Sequence, residues 1–234
     1  MARVRLVLVR PETSANVGAC ARVARNTGAA GLDLVDPGDW RTVDCWRTAW
    51  GAQELLEEAR VFDDLGAALA GATMSVALTG RRPEGPPVAD VREAAGAIAG
   101  LGRDDTAALV FGPETTGLTN DEIALCGRRA TIPAHPAQPS FNLSHAVAIA
   151  AYEVFRASRR GGTEPGPRAT HDQKEGLLAL LREGLLAIEA LPRVNTDGYF
   201  ADWRALVQRG DFTPKELKLL EHVARKMGRS AGSR

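Results

Sequence analysis

The fold is decided by residues 4–38, VRLVLVRPETSANVGACARVARNTGAAGLDLVDPG. Val4–Val9 is a continuous apolar run, and Asn16 to Thr27 repeats apolar residues at helical spacing. Gly28 stands where a helix commonly stops in a left-handed turn. Leu32–Val35 is a second apolar run, closed by Asp36-Pro37-Gly38. Strand, helix and strand in that order predict a βαβ unit, because parallel strands need a crossover of about a dozen residues or more. Strands that are apolar throughout, rather than at alternate positions, predict a sheet covered on both faces.

The alternation continues outward from this unit. Trp46 to Ala59 has helical spacing, Val61-Phe62 is a short strand, and Asp64 caps a helix to Ala70. Met74–Thr79 and Thr106–Phe111 are strands, separated by a helical stretch at Ala89–Ala99. Thr119 and Glu122 form a capping box that opens a helix to Cys126. A last strand ends at Thr131-Ile132-Pro133, and Leu143–Ser158 is a long helix. The expected class over residues 1–158 is α/β, a parallel sheet with helices on both faces. Residues 159–172, rich in Gly and Pro, are expected to be a linker. Residues 173–234 are expected to form a small helical extension: Gln173–Ala190, Asp202–Gln208, and a helix opened by Thr213-Pro214 that stops at Gly228. So small a unit holds little core of its own and is expected to pack on a partner or a second subunit.

Composition narrows the function classes. The 234 residues carry 29 basic and 29 acidic side chains, which excludes a polycation or an acidic tail protein but not an enzyme with a local basic surface. The charges are unevenly spread: residues 1–30 hold five Arg against one Glu, and residues 31–70 hold three Arg against nine acids. Apolar stretches such as Ala146 to Tyr152 are far shorter than the about 20 residues a membrane helix needs. The N-terminus has no signal-peptide h-region. Cys20, Cys45 and Cys126 lack the spacing of disulfide pairs or zinc ligands, so buried thiols in a reducing cytoplasm are expected. His135 and His145 have no carboxylate or Cys at ligand spacing, and no metal is expected. The turn Arg10 to Gly18 lacks the G-x-G-x-x-G of a dinucleotide site, which disfavours a nicotinamide oxidoreductase. Neither G-x-x-x-x-G-K-[ST] nor G-x-S-x-G occurs.

Three segments remain, all at the C-terminal ends of expected strands, where open α/β sheets bind ligands. The first is Asn16-Val-Gly-Ala-Cys-Ala-Arg22, with Gly18 and Arg22 one turn apart. The second is Phe111-Gly-Pro-Glu114-Thr-Thr-Gly117-Leu118, a carboxylate between two glycines. The third is Ile132-Pro133 followed by Pro139-Ser140-Phe141-Asn142-Leu143-Ser144-His145-Ala146, a polar cluster leading into a helix. Each alone has an ordinary structural reading: an N-cap with a packing glycine and a solvated Arg, a turn, and a second N-cap. Trp46 and Trp50 lie at i, i+4 and fit core or dimer packing better than base stacking.

Taken jointly and in this order, the segments resemble the motifs of the SpoU branch of the SPOUT methyltransferases, N-x-G-x-x-x-R, F-G-x-E-x-x-G-L and I-P-(x)n-S-x-N. The resemblance covers residues 4–158. The start directly on the first strand and the helical tail after the linker resemble the TrmJ type of tRNA methyltransferase within that family.

The resemblance implies transfer of a methyl group from S-adenosylmethionine to a ribose 2′-hydroxyl of RNA, most specifically nucleotide 32 of the tRNA anticodon loop. It implies a C-terminal trefoil knot, against the usual unknotted rule, and a homodimer whose active site lies at the subunit interface. It marks Arg22, Asn16, Glu114 and Asn142 as catalytic. It places the cofactor against Leu78, Thr79, Gly80, Arg81, Gly112, Ile132, Pro139, Ser140, Phe141 and Asn142. A guanidinium holds its proton too tightly for a base, so Arg22 is expected to hold phosphate and stabilise the oxyanion instead. Two alternatives stay open: a related enzyme acting on ribosomal RNA or the tRNA wobble nucleotide, and a non-catalytic RNA-binding module.

Overall fold

The computed structural model describes residues 2–80, 88–159, 167–192 and 195–230. Seven strands form one sheet: β1 (Arg3–Val9), β2 (Gly31–Val35), β3 (Arg60–Phe62), β4 (Met74–Leu78), β5 (Ala89–Asp90), β6 (Thr106–Phe111) and β7 (Arg128–Thr131). Their order across the sheet is β3-β2-β1-β6-β4-β7-β5, and every pairing is parallel. Alternate residues of one strand face opposite cores. On β1, Leu6 and Leu8 join a cluster with Leu34, Leu109 and Phe111, while Val7 and Val9 join Val35, Val110 and Leu69 on the other side. Both faces are dry, which is why these strands are apolar throughout.

Ten helices are described: α1 (Ser14–Thr27), α2 (Val43–Thr48), α3 (Gln53–Glu57), α4 (Leu65–Leu69), α5 (Val91–Ala99), α6 (Asn120–Leu125), α7 (Leu143–Ser158), α8 (His171–Ala187), α9 (Thr196–Arg209) and α10 (Pro214–Ser230). Local chemistry sets most of their starts. Asp64 accepts from Ala67 N–H, Thr119 forms its capping box with Glu122, and Asn142 accepts from Ser144 N–H. Gly28 ends α1 at φ 69°.

The structure departs from the sequence expectations at several ends. The single helix expected over Trp46–Ala59 is two, α2 and α3, because Gly51 takes the left-handed region at φ 75° between them. Trp46 packs against the core, whereas Trp50 stands 73% exposed. Ala89–Asp90 is an edge strand before α5 begins. Asn16 lies inside α1, not at its cap; Thr13 is the N-cap and makes no side-chain cap bond. The helix expected at Asp202–Gln208 begins at Thr196, and α10 runs through Gly228 to Ser230.

The last three helices share a cluster of Leu177, Leu178, Phe200, Val207, Leu217 and Ala224. They also dock on the sheet. His171 N–H donates to Ala72 O at 2.7 Å, and Asp211 pairs with Arg128 of β7 at 2.9 Å. Lys174 is buried here, its Nζ donating to Gln208 O at 3.1 Å, and burial pushes its pKa down to about 8. Cys20, Cys45 and Cys126 are all buried and free.

One charged group sits inside the sheet layer. Asp33 of β2 is fully buried, and its carboxylate accepts from Arg5 of β1 and from Arg60 of β3, the latter at 2.8 and 2.9 Å. Removing the acceptor charge leaves two guanidiniums facing a neutral amide, a loss of a buried pair that typically costs several kcal/mol. Both arginines keep some solvent, so the expected cost of Asp33→Asn is about 2–3 kcal/mol in urea denaturation, with an unchanged far-UV spectrum.

Candidate functional site

The C-terminal ends of β4, β6 and β7 open onto a cleft of about 470 Å³. This lies within the size range of small-ligand sites. Leu78, Phe111, Ile132, Leu143 and Ala146 make its apolar surface. Thr79, Gly80, Ser140 and the loop Gly112–Leu118 supply polar groups and exposed backbone. Gly112 is required by packing: a Cβ there would lie 2.3 Å from Leu118 N and 2.4 Å from Gly117 C. The loop can therefore fold back on the strand end only because position 112 has no side chain.

Of the expected cofactor residues, Leu78, Thr79, Gly80, Gly112, Ile132, Pro139, Ser140 and Phe141 all line this cleft. Arg81 lies outside the described residues. Asn142 is not among the residues of the cleft wall, and its side chain meets Asn16 in the first turn of α1. Thr115 and Thr116 line the cleft without having been singled out by sequence.

The polar site is built around Glu114. Its Oε2 accepts from Glu12 N–H at 2.8 Å. Its Oε1 accepts from Thr13 N–H at 3.1 Å and from Asn16 Nδ2 at 2.7 Å. Asn16 Oδ1 in turn accepts from Asn142 Nδ2 at 3.2 Å. Asn142 Oδ1 is occupied as the cap of α7, taking Ser144 N–H at 2.9 Å and Ser144 Oγ at 2.8 Å. Residues about a hundred positions apart thus meet in one chain of hydrogen bonds, and both asparagines have fixed orientations. Burial alone would raise the Glu114 pKa, but the bonds from Glu12, Asn16 and Thr13 outweigh it and hold the carboxyl below its usual range.

Two further contacts fix the same region. Arg10 clasps Glu122 of α6 with two guanidinium nitrogens. Ser14 Oγ lies 2.7 Å from Thr42 Oγ1, and Gly18 packs so tightly that a Cβ would sit 2.0 Å from Cys45 O. Gly18 is therefore the seat of α1 on α2. Of the four expected catalytic residues, Glu114, Asn16 and Asn142 share this hydrogen-bond chain and Arg22 does not. It is exposed on α1 and does not line the cleft within this chain.

Among the described residues no three His, Cys, Asp or Glu are grouped so as to hold a metal, and no helix is long and apolar enough to cross a membrane. Glu114 is the one charged side chain in the described cleft wall, and it is negative. An apolar slot with threonine and serine hydroxyls and one carboxylate in its wall fits a nucleoside that carries a positive charge.

Replacing Glu114 by Gln turns one of two acceptor oxygens into a donor facing N–H groups. Expected is a loss of about 1–3 kcal/mol in urea denaturation at pH 7. A carboxyl with a depressed folded-state pKa contributes stability above its ordinary value and loses it as pH falls through the folded value. The gap between E114Q and wild type should therefore narrow as pH drops below about 4.

Comparison with known proteins identifies the family. The model of the SpoU rRNA Methylase family matches residues 3–152. The tRNA (cytidine/uridine/adenosine-2′-O-)-methyltransferase TrmJ of Pseudomonas aeruginosa is 34% identical over 236 residues, covering 99% of this chain and 88% of that protein. The crystal structure of TrmJ from Z. mobilis superposes with a TM-score of 0.81 at 28% identity, over 97% of this chain and 99% of that one. A structure described by the 2-OH methylation of C/U34 on tRNA matches with a TM-score of 0.56 at 28% identity, over 68% of this chain and 99% of its own.

Proposed function

Because this chain belongs to the SpoU methylase family, we propose that it is a tRNA 2′-O-methyltransferase that uses S-adenosylmethionine and acts on nucleotide 32 of the anticodon loop. The observation that carries this reading is the Glu114–Asn16–Asn142 chain set against the cleft at the ends of β4, β6 and β7. The tRNA assignment is favoured over a ribosomal one by the TrmJ relatives, whose similarity extends through α8–α10. The wobble-nucleotide structure matches a shorter part of this chain.

S-adenosylmethionine supplies a methyl group on a cationic sulfonium. Leu78, Ile132, Phe141 and Leu143 would hold its apolar and aromatic parts, with Thr79, Gly80 and the Gly112–Leu118 backbone reading polar edges. Arg81 belongs to the same proposed set. Attack by a ribose hydroxyl needs alignment and an environment that tolerates a developing oxyanion. Asn16 and Asn142, locked together, are suited to align the ribose. Arg22 is suited to bind the neighbouring phosphate and neutralise the oxyanion. Because Arg22 is exposed and outside its own chain's cleft, the reading includes a homodimer in which one protomer supplies Arg22 to the other's site. The same reading gives residues 1–158 as the methyltransferase body with a trefoil knot at its C-terminal part, residues 159–172 as a linker whose last two residues already belong to α8, 173–234 as a helical extension, and the cytoplasm as its place. The buried free thiols suit a reducing compartment.

The test is methyl transfer from labelled S-adenosylmethionine to total tRNA and, separately, to ribosomal RNA, followed by mapping of the modified nucleotide. Label at position 32 of tRNA is expected. Label confined to ribosomal RNA or to the wobble position would replace the substrate assignment, and no label with either RNA would leave a binding module. For Arg22→Ala, turnover is expected to fall by about 100-fold or more while cofactor affinity stays within about twofold.

A further inference from the structure

The loops after β1 and β6 are joined in both directions. Glu114, on the second loop, takes the Glu12 and Thr13 N–H groups of the first. Glu12, on the first loop, reaches the opposite way: its Oε1 accepts from the Thr115 N–H at 3.4 Å and from the Thr115 hydroxyl. Thr115 is part of the cleft wall, whereas Glu12 stands outside it on the exposed rim.

Two features mark this contact as more than an incidental surface bond. Glu12 is the one acidic residue among residues 1–30, which carry five arginines. An exposed carboxylate beside a site for a polyanion opposes binding unless it serves another purpose. It also receives two donors from a single residue, one backbone and one side chain, so it fixes both the Thr115 backbone and its rotamer. On the far side, Gly117 N–H donates to Pro113 O at 2.9 Å and the loop folds back tightly on Gly112. Without the Glu12 side chain, Thr115 loses its two bonds to the loop after β1, while Glu114 keeps all three of its own donors.

We propose that Glu12 is a positioning residue of the cofactor site, which acts through Thr115 to hold the 113–117 wall in its ligand-ready shape. This rests on the reading of the cleft as an S-adenosylmethionine site. The arrangement separates two tasks. Glu114 fixes the asparagines that face the ribose, and Glu12 fixes the wall that faces the cofactor.

The test compares Glu12→Ala, Glu12→Gln, Thr115→Val and the double variant E12A/T115V. Calorimetry gives the Kd of S-adenosylmethionine, steady-state methyl transfer gives KM and kcat, and amide hydrogen exchange of the free protein reports on Thr115. E12A should raise Kd and KM for the cofactor about tenfold, the scale of losing hydrogen bonds to a charged group, with kcat within about twofold of wild type. Glutamine retains an acceptor oxygen, so E12Q should recover affinity to within about threefold. The double variant should be no worse than E12A by more than about twofold, because both changes remove one interaction. Wild-type affinity in E12A, a penalty confined to kcat, or an E12Q as weak as E12A would overturn the proposal. If the wild-type protein binds no S-adenosylmethionine, the functional reading fails instead. Exchange then decides the role of Glu12: faster exchange at Thr115 in E12A supports it, and unchanged exchange overturns it.

Discussion

Glu114 is the carboxylate on which the site depends. Its two oxygens collect the backbone N–H groups of Glu12 and Thr13 and the side chain of Asn16. These donors come from the loop and first turn after β1, and Glu114 itself from the loop after β6, whose strands are neighbours in the sheet. Through Asn16 the connection passes to Asn142, the cap of α7. A carboxylate can accept several hydrogen bonds at once, and bonds to an ionised acceptor are stronger than neutral ones. One charge therefore aligns three chain segments, and the cost of half-burying it is met by three donors. A neutral side chain could not replace it, because glutamine would meet donors with a donor.

The sheet explains why these segments converge. β6 lies between β1 and β4, and β7 lies beyond β4. The loops leaving β1, β4, β6 and β7 thus emerge side by side at one edge. Ligand sites in open α/β sheets lie outside such carboxyl ends. Close approach of the loops then demands small residues at two points. Gly112 lets the β6 loop fold against its own strand, and Gly18 lets α1 sit on α2. The glycines and Glu114 act together: the first bring backbone near, and the second bonds it.

Much of this was legible in sequence because it is local. Strand runs, the capping box at Thr119 and the cap at Asn142 depend on residues within a few positions of each other. The set from Leu78 to Phe141 came from the family resemblance, and it falls at strand ends that share one edge of the parallel sheet. What sequence did not disclose depends on distant pairs. Arg10 meets Glu122, and Glu12 meets Thr115, across more than a hundred residues. Neither leaves a periodic or spacing signal. The break between α2 and α3 at Gly51 was hidden by apolar spacing that suits one helix as well as two. Asn16 has a good capping side chain, but Glu114 engages it from another loop, so tertiary bonding overrode the local preference. Arg22 belongs to the expected catalytic set, and the structure leaves it exposed on α1, outside the Glu114–Asn16–Asn142 chain.

An ionised Glu114 holds these segments together in the free protein. The most direct test is an NMR titration of selectively labelled glutamate carboxyls, with Glu114 assigned through E114Q. Expected is a midpoint below the ordinary glutamate value near 4.3, with the Glu12 and Thr13 amides and the Asn16 side-chain amide shifting over the same pH range. A Glu114 midpoint at or above that value, with those three groups unmoved, would contradict the account.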